Sequence, residues 1–350
     1  MDVTQIDKNF VISERFSKED LAFYDAESQP FRIYGVFREG DRFCRMPEKV
    51  AKSVNPGVGE LYEHAAGGRV RFVTNSRKIA ISAQMTHIFK IGYFALTGSA
   101  GFDLYENDSR YRKTYVPDWD ITDTKEGLYE AKEEVTGDRI ITINFPTYSA
   151  VKKLHIGLEK GATLLPAPEY KISAPVVYYG SSITQGACAS RPGAVYSSII
   201  ERHLNCDYIN LGFSGNAHGE PVMAEYIAGL SMSAFVMDYD YNAETPEELE
   251  STHEAFYKII RGAQKDLPII MLSVPNYYDR PDLIRRRQII ERTYRNAIAA
   301  GDRNLYYLPG NTLFDADAAD TALIDGTHPN DAGFLMMARK LEPLLAKVLK

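Results

Sequence analysis

The chain is poor in the residues that staple or anchor a fold. Its 350 residues include three cysteines, Cys44, Cys188 and Cys206, scattered and without a C-x-x-C pair. Neither a disulfide framework nor a cysteine zinc site is indicated. No stretch approaches the ~18 consecutive apolar residues of a membrane helix. Met1 to Phe10 carries Asp2, Asp7 and Lys8 and no apolar run of signal-peptide type, so a cytoplasmic protein is expected. Phosphate-binding loops are missing as well: there is no G-x-x-x-x-G-K-[ST] and no G-x-G-x-x-G, and the lipase elbow G-x-S-x-G does not occur. Positive charge is in deficit, with 47 acidic against 40 basic residues and a net charge of −7. Such a chain lacks the field that holds nucleic acid or an anionic membrane, so neither is expected as a partner. The basic cluster Arg285, Arg286 and Arg287 falls in an amphipathic segment and reads as a solvated helix face. Tryptophan occurs once, at Trp119.

What is present is the composition of an ordinary globular protein, 45% hydrophobic and 25% charged. At this length a single core is unusual, since cores stop growing near ~250–300 residues, and two domains are expected. The texture supports that division. Up to about residue 165, β-type runs recur at Phe31–Phe37, Val70–Thr74, Ile79–Ala83, Gly127–Val135 and Arg139–Phe145. Turn signals separate them, among them Gly67-Gly68, Asn75-Ser76, Glu106-Asn107-Asp108 and Gly137-Asp138. Many short strands with such punctuation predict a β-sandwich or jelly roll. Pro166, Pro168 and Pro175 then interrupt the chain, which places a boundary near residue 170, with domains 1–170 and 171–350.

Beyond it apolar strands alternate with helical periodicity. Val176–Tyr179, Tyr208–Leu211, Ala234–Met237, Pro268–Val274 and Leu305–Leu308 read as strands. Segments near Ala194–Leu204, Pro221–Leu230, Pro246–Gln264, Leu283–Ala300 and Ala332–Leu349 read as helices. Five βα units predict a parallel sheet covered by helices, with ligands at the carboxyl ends of the strands.

The loops at that edge carry the chemistry. The first reads Tyr179-Gly180-Ser181-Ser182-Ile183-Thr184-Gln185-Gly186, where a serine beside a glycine can stand on a tight turn. The second, Asn210-Leu211-Gly212-Phe213-Ser214-Gly215-Asn216, offers backbone N–H groups free of Cβ interference, as an oxyanion site needs. After the third strand come Asp238-Tyr239-Asp240-Tyr241-Asn242. Asn242 offers an amide donor; the paired acids would suit a metal, but no phosphate loop accompanies them and no metal or cofactor is expected. Asp325-Gly326-Thr327-His328 precedes the last helix, and an acid three residues before a histidine can reach back to fix its tautomer. Of the other histidines, His64, His87, His155, His203, His218 and His253, most read as structural; His218, in the second loop, is a candidate pocket residue.

Serine, glycine, asparagine and an Asp/His pair in this order resemble the four blocks of the SGNH hydrolase (GDSL esterase) family. The resemblance matches Ser182 to the nucleophile, Gly215 to the block II glycine, Asn242 to the block III asparagine, and Asp325 with His328 to the D-x-x-H pair. Gly180–Pro192, GSSITQGACASRP, is similar to one branch in which a β domain with a G-x-D-L-Y signature comes first, and Gly101-Phe102-Asp103-Leu104-Tyr105 fits that signature. The resemblance implies a flavodoxin-like three-layer α/β/α domain after the jelly-roll-like sandwich, and acyl transfer through a seryl intermediate. In that mechanism His328 is the base, Asp325 its partner, and Ser182 N–H, Gly215 N–H and the Asn242 amide form the oxyanion hole. Two positions depart from the pattern: Ser181 stands where an aspartate is usual, and Asp240-Tyr241-Asn242-Ala243 replaces G-x-N-D. Both bear on the pocket more than on the mechanism.

For substrate, the absence of a lid-like apolar segment argues against a lipase; the appended sandwich resembles a carbohydrate-associated module, and the resemblance to two-domain members of the family implies an acetylated sugar or another small polar ester. Trp119, between Asp118 and Asp120, is a candidate for stacking on a sugar, the alternative being a core residue of the sandwich. Arg191 either orients a polar substrate or ties its loop down. Ser181 and Asp240 complete the candidate substrate contacts. Three functions fit: an esterase, an acyltransferase using the same residues with an alcohol as acceptor, and a carbohydrate-binding protein on a hydrolase scaffold. Self-association into a homo-oligomer is compatible with the sequence.

Overall fold

A computed structural model describes residues 16–275 and 280–349; Met1 to Phe10, on which the compartment expectation rests, lies outside them. The first half is antiparallel. In chain order its strands are β1 (Leu21–Asp25), β2 (Arg32–Tyr34), β3 (Phe37–Glu39), β4 (Arg42–Cys44), β5 (Arg69–Thr74) and β6 (Lys78–Thr86). They are followed by β7 (Phe102–Glu106), β8 (Arg110–Tyr115), β9 (Thr124–Glu130), β10 (Arg139–Asn144), β11 (Ala150–Glu159) and β12 (Leu165–Pro166). One large sheet has the order β1-β11-β6-β9; the other runs β12-β5-β10-β7-β8, with β2 also on β5, and β3 and β4 pair as a separate two-stranded sheet. Alternating apolar residues of the two sheets, such as Ile79, Ile81 and Ala83 against Val70, Phe72, Ile141 and Ile143, close over one core.

The chain then enters a parallel sheet of β13 (Ile172–Gly180), β14 (Cys206–Gly212), β15 (Ala234–Asp238), β16 (Ile269–Leu272) and β17 (Leu305–Leu308), in the order β14-β13-β15-β16-β17. This is the flavodoxin-like order. Adjacent residues of β13 serve opposite faces: Val177 and Tyr179 join one apolar layer, Val176 and Tyr178 the other. The first layer holds Met223, Leu249, Phe256 and Ile290 from the helices Pro221–Ala228, Pro246–Ala263 and Pro281–Ala299. The second holds Ile200, Phe334 and Met337 from Tyr196–Leu204 and Asp331–Val348. In register, Gly180 lies beside Gly212 on one side and Asp238 on the other, so the first three loops leave the sheet together.

The halves share an extensive interface. Two short helices of the first half, Glu48–Val54 and Val58–Leu61, place Ala51 and Val58 in the core of the α/β layers. Arg45, 2% exposed, donates to the carbonyls of Gly212 (2.6 Å), Asn210 (3.1 Å) and Leu61 (2.6 Å). Of the Arg285–Arg287 cluster only part is a solvated face. Arg286 turns inward and donates to the Asp240 carbonyl at 2.5 Å, because the loop it supports has a main-chain acceptor that water does not reach. Among the described residues no helix is long and apolar enough to cross a membrane.

Candidate active site

The strand β13 ends at Gly180, where a Cβ would lie 2.3 Å from the Asp238 carbonyl oxygen; only glycine permits that approach. Ser181 then caps the one-turn helix Ser182–Gln185, its hydroxyl accepting from Ile183 N–H at 3.2 Å. Ser182 is the first helical residue, and its Oγ lies 2.8 Å from His328 Nε2. On the other side of the imidazole, Nδ1 is 2.7 Å from Asp325 Oδ2. The carboxylate can only accept, so the ring proton resides on Nδ1 and Nε2 is left to accept from the serine. Asp325 Oδ1 also accepts from the N–H groups of Thr327 (3.0 Å) and His328 (2.8 Å). Partial burial pushes the Asp325 carboxyl up, but these backbone and imidazole donors outweigh it and hold it below the usual carboxylate range.

The second loop is shaped by its hydrogen bonds. Gly215 has φ +70°, a conformation that favours glycine. Ser214 N–H donates to Gln185 Oε1 at 3.0 Å, and His218 Nε2 sits 3.1 Å from the Gly215 carbonyl oxygen. Asn242 accepts from Ala217 N–H through Oδ1 at 3.4 Å, which turns its NH2 group toward any other acceptor. Tyr241, its neighbour, is 3.0 Å from Thr327 Oγ1 and so ties the asparagine loop to the histidine loop.

Several candidate substrate contacts are occupied elsewhere. Ser181 is 2% exposed and its hydroxyl serves the helix cap. Asp240 is 1% exposed and accepts from Val274 N–H at 3.1 Å, bracing the third loop. Its companion Asp238 accepts from Thr184 (2.9 Å) and Tyr196 (3.2 Å) hydroxyls, and among the described residues no group of three metal-ligating side chains converges. Arg191 ties its loop down: its guanidinium lies over the Tyr111 ring at 4.5 Å and 3.7 Å from Asp103. His218 braces the glycine loop. Trp119 lies outside the sandwich core: it is 70% exposed, and its carbonyl oxygen accepts from Lys90.

The first half also reaches the serine, a feature no local sequence signal announced. Tyr148 OH is 3.4 Å from the Ser182 carbonyl oxygen, and Tyr93, 48% exposed, faces the His328 ring with centroids 6.5 Å apart. The G-x-D-L-Y segment clasps the loop after the serine helix: buried Asp103 accepts from Gly193 N–H at 2.8 Å and from Asn144 at 2.8 Å. A concavity of about 1000 Å³ opens in the sandwich. Several of its charges pair with one another, Glu106 with Arg112 and Arg139, and Arg110 with Glu133, and it holds neither Ser182 nor His328, so chemistry rather than volume locates the site.

Known proteins are similar to both halves of the chain. Residues 173–346 match the model of the GDSL-like lipase/acylhydrolase family, and residues 21–164 match that of the GxDLY N-terminus of SGNH-type esterases. No curated protein matches the chain. Among solved structures, a GDSL-like lipase from Bacteroides ovatus is 28% identical over 94% of this chain and 98% of its own, with a TM-score of 0.83. The salicylyl-acyltransferase SsfX3 of a tetracycline biosynthetic pathway is 20% identical over 95% and 99%, TM-score 0.76. The acetyl xylan esterase Est2A of Butyrivibrio proteoclasticus is 14% identical over 93% and 98%, TM-score 0.60. The last two share the fold. With both halves matched in their expected order, the chain belongs to the SGNH/GDSL-type hydrolase family, in the branch that carries a GxDLY amino-terminal domain.

Proposed function

We propose that this hydrolase is a serine esterase that removes short acyl groups, acetyl above all, from a carbohydrate or other small polar ester. The observation that carries this reading is the unbroken line Ser182 Oγ–His328–Asp325, at 2.8 and 2.7 Å, on the sheet edge that also carries Gly215 and Asn242. The Ser182 oxygen bonds to the ester carbonyl carbon as its proton passes to His328 Nε2, and Asp325 stabilises the imidazolium. The N–H groups of Ser182 and Gly215 and the Asn242 amide receive the oxyanion. Collapse breaks the bond to the alkoxy oxygen, which leaves as the alcohol with the proton from His328. Water then attacks the acyl-serine, giving its proton to His328, and the acid departs as Ser182 is restored.

A sugar ester is supported by the two-domain likeness to an acetyl xylan esterase and by the half-exposed Tyr93 ring beside His328, where the leaving alcohol takes its proton. A second reading, an acyltransferase in which an alcohol replaces water at the acyl-serine, is supported by the likeness to a salicylyl-acyltransferase. The test is hydrolysis of p-nitrophenyl acetate, butyrate and octanoate by wild type and Ser182→Ala. Acetate turnover that disappears in the variant and declines with chain length is expected. Turnover retained by Ser182→Ala overturns the mechanism, and product transesterified to an added alcohol in preference to hydrolysis selects the second reading.

A further inference from the structure

We infer that Gln185 is a positioning residue for the oxyanion loop and that the amino-terminal domain grips it, which makes that domain part of the catalytic machinery. The inference rests on the acyl-transfer reading of the same site. Gln185 is the last residue of the serine's own helix and is fully buried. Its amide has one consistent orientation. Ser214 N–H can only donate, so Oε1 faces it at 3.0 Å; the Thr147 carbonyl can only accept, so the NH2 group faces it at 3.1 Å. The second amide proton then points at His64 Nδ1, 3.2 Å away, which must accept and carry its own proton on Nε2.

Both acceptors belong to the first half. Thr147 is itself held by the Gly98 carbonyl oxygen, which accepts from its hydroxyl (3.0 Å) and N–H (3.2 Å). His64 bridges to Ala150 and lies against the Tyr148 ring. Burial above all, with Arg45 and His87 adding to it, pushes the His64 imidazole down to about 3, so it stays a neutral acceptor at any pH where His328 works as a base. The main chain that carries this side chain is packed as tightly: a Cβ on Gly212 would come within 2.2 Å of the Gln185 backbone N. The peptide that carries Ser214 N–H is thereby fixed relative to Ser182, and the next N–H along the chain is the oxyanion donor Gly215.

The test compares wild type, Ser182→Ala, Gln185→Met and His64→Phe with p-nitrophenyl acetate, and counts reactive serines by titration with diethyl p-nitrophenyl phosphate. Turnover by wild type and none by Ser182→Ala establish the underlying reading; if wild type is inert, that reading falls and takes the inference with it. Given an active wild type, Gln185→Met is expected to lower kcat about 100-fold, the scale of a misplaced oxyanion donor, with KM little changed. The full complement of serine still titrates, more slowly, and the pH profile keeps its shape because His328 and Asp325 are untouched. His64→Phe, from the other domain, shows the same pattern more weakly and carries the test if Gln185→Met does not fold. Unchanged kcat, or kcat lost only in proportion to titratable serine, overturns the inference.

Discussion

Ser182 and His328 meet across 146 positions of sequence, yet each was recognisable locally because its immediate neighbours specify its geometry. Gly180 and the Ser181 cap put Ser182 at the head of a one-turn helix, and Asp325 sits three residues from the ring it orients. Asn242 belongs to the same class: a one-turn helix after β15 presents it, and Ala217 N–H holds its oxygen. Asn242→Ala is therefore expected to lower kcat/KM about 100- to 1000-fold with p-nitrophenyl acetate. The bond it loses is long and the side chain only half-buried, so the urea midpoint should barely move; a variant with full activity would remove the amide from the oxyanion site. Gln185, His64, Tyr148 and Tyr93 were not legible in the same way. Their meaning lies wholly in which distant residue they face, and glutamine, histidine or tyrosine in isolation fits many ordinary positions. The candidate contacts Ser181, Asp240 and Arg191 were legible as belonging to the right loops, but a loop holds more residues that brace it than residues that face the ligand.

At the scale of elements, the β/α alternation after residue 170 was readable because buried parallel strands are nearly continuous apolar runs bounded by long amphipathic helices. The sandwich was harder. In the ten-residue β11 the register shifts between Val151 and Lys153; a bulge there spaces the buried Val151 and Leu154 by three and confines the period-two signal to Leu154, Ile156 and Leu158. Helices Glu48–Val54 and Val58–Leu61 were lost in a β-rich neighbourhood, being too short to develop a clear stripe. The carboxyl end of β15 supports a prediction of its own. Burial, reinforced by nearby Asp240, pushes the Asp238 carboxyl up to about 8, against the opposing bonds from Thr184 and Tyr196. The folded state thus holds this proton more tightly than the unfolded chain does. Its contribution to stability is fully present below the unfolded pKa near ~4 and declines as pH rises through about 8. The urea midpoint should fall between pH 5 and pH 9, and Asp238→Asn, which keeps an oxygen for both hydroxyls, should flatten that decline. A variant with the wild-type slope would mean that Asp238 is not the group responsible.

For the whole molecule, the question is whether the sandwich and the α/β unit that follows it unfold as one body. The interface answers with a buried ionic knot. Arg69 of β5, 0% exposed, donates to Tyr170 OH at 2.8 Å and to the Gly67 and Tyr208 carbonyls, pairs with Asp207, and lies 3.9 Å from the buried Glu201. Its guanidinium also rests on the Tyr208 ring at 4.2 Å. Glu201, 1% exposed, accepts from Tyr170, so the knot joins the first half, the connector and the helix Tyr196–Leu204. Such a cluster adds little against a well-packed apolar replacement, but removing its cation alone strands two carboxylates. Arg69→Met should therefore destabilise the protein by about 3–5 kcal/mol, measured as a lowered urea midpoint by circular dichroism. Arg69→Met combined with Glu201→Gln removes the most deeply buried stranded charge while keeping an acceptor for Tyr170, and should recover a large part of that loss. Because the same interface carries the His64 and Thr147 grip on Gln185, activity should disappear along the same denaturant curve as secondary structure. If Arg69→Met costs under ~1 kcal/mol, or if activity is lost well before the fold, the two halves are held by something other than this knot.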